Sequence, residues 1–82
     1  MPTTPLHTAL SSRLFEHAAQ AHAKGDFELR NSLCFWVQML DTENLTRQTV
    51  ERYIRGLEKS AKASSLAVAG IFRSALGEIA GA

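Results

Sequence analysis

A chain of 82 residues with 45% hydrophobic and 21% charged residues has the composition of a small globular domain, which excludes a disordered polar segment. The formal net charge of +1 excludes a molecule that attracts polyanions through its overall charge. A chain of this length buries only about 60% of the surface that its unfolded form exposes, so its core is small. The sequence predicts a single helical domain over residues 1–82.

The cysteine content, the N-terminal residues and the C-terminal stretch of the sequence favour a location in the cytoplasm. Cys34 is the only cysteine, so it excludes an intramolecular disulfide and a cysteine-based zinc site. The N-terminal residues MPTTPLHTAL lack the basic and apolar regions of a secretory signal. Residues 63–82 are long enough to span a bilayer, but Arg73, Glu78 and several serines dilute their apolar character. We therefore expect a cytoplasmic protein without a membrane partner.

The first half of the chain predicts two helices. Helix-forming residues dominate and no window shows sustained alternation, which indicates an all-α fold, a small bundle of three to four helices. The first helix is expected over about residues 5–24 and is ended by Gly25 in a left-handed conformation. Asp26 can cap the second helix, expected over about 27–40. Its segment LCFWVQML is apolar nearly all round, so we expect this helix at the centre of the fold.

The second half predicts two further helices. The polar residues DTENLT interrupt the pattern, and either Asn44 or Thr46 can cap a third helix over about residues 46–62. A fourth helix over about residues 64–80 either begins afresh at the serine pair Ser64 and Ser65 or continues the third helix without a break. We prefer the break.

The fourth helix combines a bulky apolar arc with a nearly bare face. Gly70 and Gly77 lie on the bare face, and glycine inside a helix costs about 0.8 to 1 kcal/mol relative to alanine. A stripe of small residues allows another helix to approach closely, either from a second copy or from a helical partner protein. The alternative is that this face packs within its own chain or that the helix end frays. The residues expected at a partner interface are Ala67, Gly70, Ile71, Phe72, Ser74, Gly77 and Ile79.

Residues with catalytic or metal-binding potential are sparse. His17 and His22 are turned about 140° from each other on a helix, so they cannot chelate one ion together. Cys34 lies in the apolar second helix, where a thiol is expected to be buried and unreactive. The sequence contains no glycine-rich phosphate loop and no nucleophile elbow. We expect no enzyme activity, no cofactor, no metal and no small-molecule substrate.

Residues 46–57, TRQTVERYIRGL, resemble the recognition-helix half of helix-turn-helix DNA-binding proteins. The resemblance covers about Trp36 to Ile54 and implies that Val50 and Tyr53 anchor the helix. In that family the small residue and the glycine of the turn stand where this chain has Leu40 and Asn44. The side chains that the resemblance directs toward phosphates or base edges are Thr46, Arg47, Gln48, Arg52 and Arg55.

An ordinary solvated surface is the alternative interpretation of the same charges. Arg47 with Glu51, Glu51 with Arg55, and Glu58 with Lys62 are spaced four residues apart. Opposite charges at this spacing support an exposed helix by about 0.2 to 0.5 kcal/mol per pair.

A second resemblance concerns residues 21–30, AHAKGDFELR, which are similar to the turn between the two helices of a tetratricopeptide repeat. No second copy of the motif follows, so it indicates a helical hairpin and not a repeat array.

Taken together, the sequence favours a helical protein-interaction module that acts through its C-terminal helix as a homo-oligomer or with a helical partner. The alternative is a dimeric DNA-binding regulator that uses residues 46–55.

Overall fold

A computed structural model describes residues 5–42 and 45–80, with the side chains of Ile79 and Ala80 outside the described part. The chain forms four helices, α1 (Pro5–Ala23), α2 (Phe27–Leu40), α3 (Arg47–Ser60) and α4 (Ala63–Ala80). No residue in the described ranges lies in a strand. The all-α prediction is confirmed.

The turn between α1 and α2 forms as its residues predict. Gly25 has a φ of 78°, in the left-handed region that glycine adopts without a steric penalty. The amide of Asp26 donates to the carbonyl of Ala21 at 2.9 Å, which satisfies a carbonyl at the end of α1. The Asp26 carboxylate accepts a hydrogen bond from the amide of Leu29, so it caps α2.

A break separates α3 from α4, as preferred from the sequence, but it lies before the serine pair. Thr46 caps α3, because its hydroxyl accepts from the amide of Thr49 at 3.2 Å. At the other end Ala61 has a left-handed φ of 60° and stops the helix. α4 then begins at Ala63.

The four helices form two hairpins that pack against each other. α1 packs closely along α2, and α3 along α4, while α4 also contacts both α1 and α2. His7 Nε2 lies 2.6 Å from a carboxylate oxygen of Asp41, which joins the start of α1 to the end of α2. Arg13 pairs with Glu78 and joins α1 to the end of α4. The buried side chains shared by the hairpins include Leu10, Leu14, Leu33, Leu40, Val50, Ile54, Val68 and Phe72.

Three aromatic rings connect α2, α3 and α4. The ring centroid of Trp36 lies 4.9 Å from that of Tyr53 and 5.8 Å from that of Phe72. Tyr53 and Phe72 are 6.5 Å apart. Aromatic rings at such separations attract each other in addition to the area that they bury.

The sequence prediction for the outer side of α2 was wrong. Cys34 is exposed and not buried, and Phe35 keeps 54% of its surface exposed. The reason is that α2 packs against the other helices on one side only, through residues that include Leu33, Trp36 and Leu40, so Cys34 and Phe35 on its other side face outward. Among the described helices, none combines the length and the apolar character that a membrane span requires.

Candidate functional site

The bulky arc of α4 lies inside the protein. Val68 and Phe72 have no exposed surface, Ala75 and Leu76 are buried beside them, and Ile71 is half-buried. This corrects the assignment of Phe72 to a partner-facing surface. The physical reason is that α4 contacts all three other helices, so the chain's own core fills its apolar arc.

The opposite side of α4 is open. We call its exposed residues Ala67, Gly70, Ser74 and Gly77 the small-residue face. A Cβ atom built on Gly70 or on Gly77 meets no atom within 4 Å. Packing within the described chain therefore does not require glycine at these positions. Of the other predicted interface residues, Ile71 lies at the edge of this face, and the side chain of Ile79 lies outside the described residues.

The charges beside the small-residue face are neutralised by other helices. The Arg73 guanidinium donates to both carboxylate oxygens of Glu58, with one contact at 2.8 Å to each oxygen. Glu78 is paired with Arg13. Arg73 and Glu78 are the only charged residues of α4, so the face between them is uncharged and its side chains are small. Leu66 adds a side chain that is 48% exposed at the start of the helix.

The second candidate surface is the exposed side of α3. The residues predicted to contact DNA, Thr46, Arg47, Gln48, Arg52 and Arg55, are all exposed. Thr46, Gln48, Arg52 and Arg55 border one shallow, open depression together with Thr49 and Glu51. The structure thus brings most of these residues together on one side of the helix.

The charge pairs on α3 differ from those expected from spacing alone. Arg47 and Glu51 form the expected pair, with Nε 3.3 Å from a carboxylate oxygen. Glu58 instead binds Arg73 of α4, and not Lys62. Sequence reasoning missed this contact because it joins residues 15 positions apart in two helices.

The relation between α2 and α3 departs from a helix-turn-helix unit. Six residues, 41–46, separate the two helices, whereas the turn of that motif has about three to four. Among the described residues, α2 and α3 are not one of the helix pairs with close backbone packing. Trp36 and Tyr53 lie between them, and Leu40, bulky where that family has a small residue, is completely buried.

Within residues 5–42 and 45–80, no three His, Cys, Asp or Glu side chains are grouped as metal ligands. No family model matches this chain, and neither a curated protein nor a solved structure matches it significantly. The function is therefore inferred from the small-residue face and from the exposed side of α3.

Proposed function

We propose that this chain is a small helical protein-interaction module that associates through the small-residue face of α4. The partner is a second copy of the chain or a helix of another protein. The observation that supports the proposal most directly is the exposure of Gly70 and Gly77 on an uncharged face, where they have no packing role within the described chain.

Gly70 and Gly77 lower the stability of the helix but allow a second helix to approach it closely. Two glycines inside a helix cost about 2 kcal/mol relative to two alanines. In the fold described, the space beside them is unfilled within 4 Å. A second helix in that space would bring two backbones into close contact and gain dispersion and weak Cα–H···O interactions. Leu66, half exposed at the end of the face, would be covered by the same helix.

Sedimentation velocity over a concentration series tests the proposal. We expect the wild-type protein to self-associate or to bind a helical partner, and Gly70→Gln to abolish the association because its side chain fills the space that a partner backbone needs. Gly56→Gln is the matched control, since Gly56 is also helical, exposed and without neighbours within 4 Å of a Cβ, but lies on α3. Equal association of the wild type and Gly70→Gln would contradict the proposal.

We infer a cytoplasmic setting for this module. The thiol of Cys34 supports the inference because it is free and exposed. An exposed thiol persists in a reducing compartment and is oxidised or cross-linked in an oxidising one.

Recognition of DNA by a helix-turn-helix unit remains the second candidate for this chain. Its supporting observation is that Arg47, Arg52 and Arg55 are all exposed on α3. The long connection from α2 and the lack of close α2–α3 packing in the described residues give it less support than the association through α4.

A further inference from the structure

One side of α3 carries a row of polar and cationic side chains. Gln48, Arg52, Arg55 and Lys59 follow one another at spacings of four, three and four residues, so they share one face of the helix. All four are exposed. We call these residues the cationic ridge; it extends one turn beyond the residues that the helix-turn-helix resemblance selects.

The acidic residues of α3 lie on the side of the ridge that faces α4, and Glu51 also borders the depression that Gln48, Arg52 and Arg55 line. Glu51 borders a cleft with Ile54, Arg55 and Arg73, which places it on the α4 side. Glu58 is bound by Arg73 on the same side. Arg47 pairs with Glu51. By sequence, α3 carries four cationic side chains against these two carboxylates, so the helix has a net charge of +2.

We propose that the cationic ridge binds the phosphate backbone of a nucleic acid duplex without reading its sequence. Arginine and lysine form charge-assisted hydrogen bonds with phosphate, and a duplex presents about one negative charge per 1.7 Å of its axis. The three cations of the ridge span seven residues, about 10.5 Å along a helix, so they meet several phosphates at once. The amide of Gln48 adds a neutral donor at the N-terminal end of the ridge.

An anionic membrane surface suits the ridge less well than a duplex. Helices that bind membrane surfaces insert an apolar face beside their basic residues. The apolar residues of α3, Val50, Ile54 and Leu57, are buried in the core of the protein and are not available for insertion. The ridge therefore offers charge and hydrogen-bond donors alone, which matches a phosphate backbone in water.

Fluorescence anisotropy with a labelled duplex of mixed sequence tests this proposal. For the wild type, we expect binding at 50 mM salt whose affinity falls with salt with a logarithmic slope of about −2, because Arg55 and Lys59 each displace about 0.9 counterions. Lys59→Glu should weaken binding by about tenfold and flatten the slope, because it removes one contact and adds a repulsion. Lys24→Glu makes the same charge change at an exposed lysine that follows α1, and it should stay within about threefold of the wild type.

The two lysine variants distinguish binding at the ridge from a general effect of net charge. Equal losses for both would show that only net charge matters and would overturn the proposal. So would the absence of salt-sensitive duplex binding, or tighter binding to vesicles containing phosphatidylserine than to the duplex. Far-UV circular dichroism confirms that each variant is folded; if Lys59→Glu is not, Arg55→Gln replaces it with the same expected direction. Gly70→Gln should keep duplex binding, so that failure at α4 and failure at the ridge are distinguishable.

Discussion

At the scale of single residues, the left-handed conformation of Ala61 is the main backbone anomaly of the described chain. It is the only non-glycine residue with positive φ among residues 5–42 and 45–80. An L-residue in this region costs about 1 to 2 kcal/mol because its Cβ crowds the following carbonyl. We expect Ala61→Gly to raise the free energy of unfolding by about 1 kcal/mol. Urea denaturation measures this as a higher midpoint at unchanged slope.

Gly25 provides the reverse substitution as a control. It has a φ of 78° at the end of α1, and a Cβ built there meets no atom within 4 Å. The penalty for alanine is therefore conformational and not steric crowding by neighbours. Gly25→Ala should lower the free energy of unfolding by about 1 kcal/mol. A change of the same sign in both variants would contradict the assignment of left-handed backbone to these positions.

At the scale of helices, the contact between α4 and the rest of the protein depends on Phe72. This side chain has no exposed surface and contacts the rings of Trp36 on α2 and Tyr53 on α3. Phe72→Ala should cost about 3 to 5 kcal/mol because it leaves a cavity where three helices meet. The loss approaches the whole stability expected of a domain of this size. Thermal unfolding followed by circular dichroism measures it.

Phe35→Ala is the control for Phe72→Ala. Phe35 is adjacent to Trp36 in sequence, and its ring contacts Trp36 at 5.6 Å, but 54% of its surface is exposed. We expect a change within about 0.5 kcal/mol for this exposed position. If both variants lost stability equally, the core would not be centred on Phe72.

The ends of the helices could be predicted from sequence where one residue carries the local signal. Gly25 and Asp26 act through a backbone conformation or a side-chain oxygen that belongs to that residue type, and so does Thr46, which was one of two candidate caps for α3. The end of α3 could not be placed in the same way. Ala61 has no local preference for the left-handed region that it adopts, so its residue type gave no signal for the end of the helix.

The two candidate surfaces differ in how far the sequence defines them. Periodicity separated the small-residue face from the bulky arc, because both properties repeat along a single helix. Periodicity could not assign the bulky arc to the core or to a partner, since that depends on which helices reach it; the structure assigns Phe72 to the core. The residues of the cationic ridge follow from their spacing in the sequence, but the partner of Glu58 could not be predicted because Arg73 comes from a different helix.

At the scale of the whole molecule, each hairpin covers the apolar side of the other. The core contains Leu10 and Leu33 from the first hairpin and Val50 and Val68 from the second, all without exposed surface. The proposed binding surfaces face away from this core, since the small-residue face and the cationic ridge are both exposed. The core residues therefore stabilise the fold, and the small-residue face and the cationic ridge lie outside that core.

Because each hairpin covers the apolar side of the other, we expect that neither hairpin folds alone. Helices of 14 to 19 residues are marginal in water without tertiary packing. Peptides comprising residues 1–42 and 45–82 should each give the circular dichroism of a largely unfolded chain at low micromolar concentration. Their equimolar mixture should regain the helical spectrum. The second peptide with Phe72→Ala should fail to restore it, because the ring that contacts both Trp36 and Tyr53 is lost. A single peptide that is helical, and monomeric by sedimentation, would show that one hairpin folds without the other.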